Sequence, residues 1–283
     1  MNADHLILCS DRSHTFATLG AMHAYYIKGD LDVVKKYSCC GSSVIVSLLL
    51  SCGVPPSQIA PMLISSNIFE DASDARREIV SLLTAFFKRK HISVPTLREL
   101  YELTGKTLLM EAYNVTKRRL EVISHVTHPL ISCVVACCLA YNAPFCGSRL
   151  SYCGSEYIDS SSMYPIPYSS VTGDDITLCL YASPDLMSVS TFSSLSTDKK
   201  AVERTWWPWK DTESADAISR LGRQTNRDVK SLSLMYQRML QISEESGPKG
   251  IRYVRLLVNS PNTTAPSDQR LTMLADWEDY LSQ

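Results

Sequence analysis

The sequence predicts an α/β domain built on a mainly parallel sheet, and three observations carry that expectation. Apolar runs of strand length alternate with stretches of helical length from the N-terminus to about residue 185. The first strand-like run is continuously apolar, as in strands covered on both faces. The first two such runs each lead through a turn into a helix-like stretch, which is how a doubly wound topology opens.

The elements follow in order. His5 to Ser10 (HLILCS) reads as a buried strand. After a polar turn, Phe16, Leu19, Gly20, His23 and Ile27 recur at helical spacing, and Gly29 stops the helix. LDVVKKYSCC supplies the next strand and SSVIVSLLLSCG the next helix, closed by Gly53 and Pro55-Pro56. Residues 56–104 read as largely helical, with a short helix begun by Thr96. Two strands joined at Asn114-Val-Thr follow, then a buried helix after Pro129, a turn-and-strand stretch near Tyr157, and a strand DITLCLYAS. A serine-rich polar stretch then precedes TWWPWKD, a long amphipathic helix from about Ser214 to Ser246, a strand IRYVRLLVN and a last helix. The expected organisation is a core over 1–185, a polar loop over 186–204, and strand and helices over 205–283 packed on the core as one domain.

Composition excludes several function classes. A formal net charge of −1 and a pI near 6.6 leave no global basic field, so no nucleic-acid partner is expected. The longest apolar stretches, Val44 to Leu50 and Ile131 to Ala140, fall short of the roughly 18–20 residues of a membrane span. The first residues lack the basic region of a secretory signal, so a cytoplasmic location is expected. Ten cysteines, with adjacent pairs at Cys39-Cys40 and Cys137-Cys138 in apolar runs, read as reduced core thiols. No Cys-x-x-Cys occurs, and His125-x-x-His128 has no matching pair, so neither a metal nor another cofactor is expected.

Three segments carry chemistry in other proteins. LILCSDRSHTFATLG, Leu6 to Gly20, is a strand, loop and helix; SCCGSS followed by VIVSLLLS and Gly53 is a strand, sharp turn and helix; SEYIDSSSMYPIPY surrounds Asp159. Together they resemble the patatin-like phospholipase family, whose three-layer α/β/α fold carries a Ser-Asp dyad. The family's G-x-S-x-G turn precedes a small-residue aliphatic helix and a glycine twelve residues after the serine. Gly53 lies twelve after Gly41, so the resemblance places Gly41 at the nucleophile, Cys39 at the first glycine and Ser43 at the last. Tyr157-Ile158-Asp159 with Pro167 matches the frame of the family's D-G-[GA] motif, so Asp159 matches the dyad base, with Ser160 and Ser161 in place of glycines. Glu102 to Lys106 (ELTGK) also matches.

The oxyanion loop of that family is glycine-rich because backbone N–H groups must point at a developing alkoxide. Here Ser10, Asp11, Arg12 and Thr15 occupy those glycine positions and His14 the usual basic one. The resemblance, over about residues 5–180, therefore implies a patatin-like fold without its acyl-transfer machinery. Glycine at 41 relieves the strained backbone of such a turn. A fallback nucleophile, Ser42, requires the turn to slip by one residue and misplace the apolar face of the following helix. Cys40 lies in an apolar run that disfavours a thiolate. Without a nucleophile, Asp159 is expected to cap a turn through backbone N–H groups.

The expected function is accordingly that of a catalytically inactive patatin-fold protein acting as a structural or interaction subunit, with a protein partner or homo-oligomer. Degenerate proteins of this kind are encoded by some large DNA viruses, which the divergence resembles, so a virion-associated role enters the expectation. The alternatives are a lipid acyl hydrolase using Ser42 and Asp159, and a noncatalytic lipid-binding protein that keeps the cleft. Trp206, Trp207 and Trp209 form either a docking patch or indoles packed beneath the C-terminal helix. Lys88, Arg89 and Lys90 fit compensation of a helix dipole better than a membrane spot.

Overall fold

The computed structural model contains one mixed sheet; Asp159 lies at the end of one of its strands and Gly41 just past the end of another. The structure describes residues 3–9, 15–66, 75–124, 129–138, 150–161, 164–172, 175–184, 245 and 247–258. The strands are β1 (His5–Cys9), β2 (Lys36–Cys39), β3 (Thr107–Asn114), β4 (Arg119–Ile123), β5 (Leu150–Tyr152), β6 (Ser155–Asp159), β7 (Thr177–Pro184) and β8 (Arg252–Val258). The helices are α1 (Thr15–Ile27), α2 (Ser43–Ser51), α3 (Pro56–Ser65), α4 (Ala75–Arg89), α5 (Leu97–Thr104) and α6 (Leu130–Cys138).

The sheet order is β5-β6-β3-β2-β1-β7-β8, with β4 on the other side of β3. Pairs β1–β2, β1–β7, β2–β3 and β7–β8 are parallel, whereas β3–β4, β3–β6 and β5–β6 are antiparallel. Leu6 and Leu8 of β1, Tyr37 and Cys39 of β2, and Leu108 and Met110 of β3 join residues of all six helices in the main core. The alternate residues Ile7 and Cys9 pack with Cys179 and Tyr181 of β7 and with Ile166 in a smaller cluster. This division is the period-two alternation of a pleated strand.

Strand β2 is shorter than its sequence run suggests. The backbone N–H groups of Lys35 and Lys36 both donate to the Asp4 carbonyl, at 2.8 and 3.0 Å, and Leu31 to Val33 turn instead of extending. Helix α5 begins as expected at Thr96, whose hydroxyl accepts from the Glu99 N–H at 3.3 Å while the Glu99 carboxylate accepts from the Thr96 N–H at 2.7 Å. Most described cysteines are buried, but Cys153 is exposed in a positive-φ turn and Cys52 only partly buried. Strand β8 pairs with β7 over seven residues, so the C-terminal region contributes to the sheet itself. The long helix expected over 214–246 and the last helix lie outside the described residues. Among the described residues, no helix is long and apolar enough to cross a membrane.

Helix α2 is buried along its whole length, so it is held by packing on every side. Leu48→Ala, at a wholly buried position of this helix, is expected to cost about 3 kcal/mol in urea-unfolding free energy, since the cavity cannot collapse from a solvent side.

Candidate functional site

The site is set by strand register. Both β2 and β6 pair with β3, β2 through Cys39↔Met110 and β6 through Ala112↔Asp159. A straight continuation of β2 would put residue 41 opposite Ala112, where Asp159 already sits. The two strands therefore meet head-on, and the chain leaves the sheet at Cys40-Gly41-Ser42 and enters α2.

Gly41 makes that turn at φ +60°, a conformation that L side chains rarely adopt. A Cβ there would lie 2.8 Å from Ser161 Oγ and 3.1 Å from Asp159 Oδ2. The space for a side chain at 41 is thus occupied by the hydroxyl of Ser161. That hydroxyl donates to Asp159 Oδ2 at 2.7 Å, and the Ser161 N–H donates to Asp159 Oδ1 at 2.8 Å. Each carboxylate oxygen of Asp159 is engaged by one residue two positions on, a local turn-capping arrangement. The other serine in a glycine position, Ser160, donates to the Glu111 carbonyl at 3.1 Å.

Ser42 faces elsewhere. Its hydroxyl lies 3.1 Å from Thr15 Oγ1 at the start of α1. Ser43 shares its proton between the carbonyls of Leu8 and Cys40, both at 2.7 Å, tying the end of β1 to the turn. The Cys40 thiol points at the carbonyls of Pro165 and Tyr164, at 3.6 and 3.9 Å. Burial, reinforced by the charges of Asp159 and Glu111, pushes that thiol well above the ordinary cysteine range, so it is no thiolate nucleophile at neutral pH. Of the expected loop residues, Thr15 is buried beside Ser42, and Ser10, Asp11 and Arg12 lie outside the described residues. Trp206, Trp207 and Trp209 lie outside them as well.

Two buried acids dominate the electrostatics. Burial raises the Asp159 carboxyl to about 7, against the opposing hydrogen bonds from Ser161. Burial likewise raises Glu111 to about 7, with Ser169 offsetting part of the rise without reaching hydrogen-bond geometry. Neither Glu111 carboxylate oxygen has a hydrogen-bond partner among the described residues. Glu111 was not among the residues singled out from sequence, and Ser161 was named there only as a serine in a glycine position. The signal for Ser161 was the serine standing where the resembled motif has glycine or alanine; Glu111, one charge inside an apolar strand, offered less.

This is the patatin-like α/β fold. The chain is similar to VipD from Legionella pneumophila, at 13% identity and a TM-score of 0.53, over 100% of this chain and 66% of that one. It also matches ExoU of the Pseudomonas aeruginosa type III secretion system in complex with SpcU, at 15% identity and a TM-score of 0.37, over 85% of this chain and 53% of that one. The chain thus spans less than two thirds of either neighbour. No protein-family model matches the sequence, and no curated protein does. The likeness to VipD supports the fold implied by the resemblance to the patatin-like family.

Two outcomes follow. The folded pKa values of Asp159 and Glu111 stand above the unfolded ones, so their contribution to stability is complete below about pH 4 and is lost as pH rises through about 7. His5 acts in the opposite sense: burial lowers its pKa, and its contribution is lost only as pH falls below about 6.5. Between pH 6.5 and 8, unfolding free energy should therefore drop by on the order of 1 kcal/mol per carboxyl, and Asp159→Asn should remove about half of that slope. Separately, Gly41→Ala should cost about 2 kcal/mol from positive φ and the clash with Ser161, and adding Ser161→Gly should recover part of it. A double-mutant cycle by chemical denaturation measures that coupling.

Proposed function

We propose that this is a patatin-fold protein whose acyl-transfer centre is closed and which works by binding, as an interaction or structural subunit. The observation that carries the reading is the exchange at the head-on junction of β2 and β6. Gly41 supplies no nucleophile, and the Ser161 hydroxyl fills the vacated space and takes up the Asp159 carboxylate. Both carboxylate oxygens of Asp159 already accept hydrogen bonds from Ser161 of its own turn. The contact of Ser42 with Thr15 counts against the alternative in which Ser42 and Asp159 hydrolyse a lipid ester. A virion setting for the subunit rests on the sequence resemblance alone.

The test is turnover of short- and long-chain p-nitrophenyl esters and of phospholipid vesicles by the purified chain. We expect no turnover that depends on Ser42, Ser161 or Asp159; turnover abolished by Ser42→Ala or Ser161→Ala would sink the reading. The double variant Gly41→Ser/Ser161→Gly makes room for a hydroxyl beside Asp159, whereas Gly41→Ser alone puts its Cβ against Ser161. The binding half is tested by light scattering and affinity capture from the native source: a strict monomer that retains no protein on capture overturns it.

A further inference from the structure

A second group of polar side chains lies on the face of β1 that carries Ile7 and Cys9, and it contains none of the residues of the Gly41 junction. His5 and Ser38 are wholly buried there, and Ser170, on the turn Tyr168–Ser170, is partly exposed. We propose that Ser170 is a reactive serine that accepts an acyl group from carboxylic esters, its proton passing through Ser38 to His5, which Thr177 and Asp175 hold in place.

The distances form a continuous chain. Ser170 Oγ lies 2.5 Å from Ser38 Oγ, and Ser38 Oγ lies 2.7 Å from His5 Nε2. The other ring nitrogen, Nδ1, is 3.4 Å from Thr177 Oγ1 and 3.6 Å from Asp175 Oδ2. Thr177 gives its own proton to the Asp175 carbonyl at 3.4 Å, which leaves its oxygen free to accept from Nδ1–H. His5 thus carries its proton on Nδ1 and turns the Nε2 lone pair to Ser38. Asp175 is fixed by both oxygens on Lys36 Nζ, at 2.7 and 2.8 Å, and by Thr172 Oγ1 at 2.6 Å. Burial lowers the imidazole pKa; Asp175 and Asp4 push it up and Lys36 down, and the balance keeps the ring neutral and able to take a proton at pH 7. Ser170 has one competing acceptor, the Pro167 carbonyl, at the longer distance of 3.3 Å.

The reaction balances without any added group. Ser170 Oγ forms a bond to the ester carbonyl carbon while its proton moves to Ser38 Oγ and the Ser38 proton to His5 Nε2. The ester C–O bond then breaks, and the alcohol leaves with the proton returned along the same path; water reverses the sequence to free the acid and Ser170. Tyr168, Val171, Ile251 and Tyr253, partly buried around the smaller apolar cluster, favour an apolar acyl chain. Ser170 alone meets the substrate; Ser38, His5 and Asp175 are positioning and relay residues.

The test is reaction of the full native chain with an alkyl fluorophosphonate, the adduct mapped by peptide mass analysis. We expect a single adduct on Ser170, formed about a hundredfold more slowly in Ser38→Ala at a temperature where circular dichroism shows that variant folded. The native rate should decline in acid, at a pH below the ordinary imidazole range because burial lowers the His5 pKa, and His5→Gln should flatten that decline as well as lower the rate. No adduct, or labelling of Ser38→Ala at the native rate, overturns the inference while leaving the preceding reading intact. An adduct on Ser42 or Ser161 overturns both.

Discussion

The structure depends most on the collision of two strand ends over Ala112. β2 and β6 pair with the same side of β3 from opposite directions, so the residue after each must leave the sheet. For β2 the exit is Gly41, and for β6 it is Asp159-Ser160-Ser161. Everything at this end of the sheet follows: the left-handed backbone at 41, the start of α2 two residues later, and the local capping that holds Asp159. The same constraint brings the Ser161 hydroxyl to the Asp159 carboxylate from the β6 side.

That contact explains why both exits carry their present residues. A side chain at 41 needs an empty place beside Asp159, and a serine at 161 needs none at 41; the two are mutually exclusive at 2.8 Å. Glycine at 41 also avoids the strain of a non-glycine residue at positive φ, which costs roughly 1–2 kcal/mol. Stability and reactivity thus pull in opposite directions at one atom position, and the residues present satisfy the first.

Much of this was legible in the sequence. The spacing of Gly41 to Gly53 reads as a turn and a helix, and α2 with its Gly53 stop has that form, Gly53 at φ +74°. Parallel strands at β1, β2 and β7 followed from short apolar runs, because strands buried on both faces show little alternation. The occupation of the space at 41 was not legible, since it is a contact between residues on different strands, fixed by register and not by spacing. The His5, Ser38 and Ser170 chain was hidden for a related reason. Each residue stands singly in an apolar or turn segment, and only the parallel pairing of β1 with β2 and β7 puts them on one face.

The two polar groups differ in how burial acts on them. At the junction, desolvation raises the Asp159 and Glu111 carboxyls to about 7, so each is partly protonated at neutral pH. On the other face, desolvation lowers the His5 pKa, so the imidazole is neutral at pH 7. One physical cause therefore moves both groups toward their neutral forms, because the charged form is the deprotonated one in the first case and the protonated one in the second.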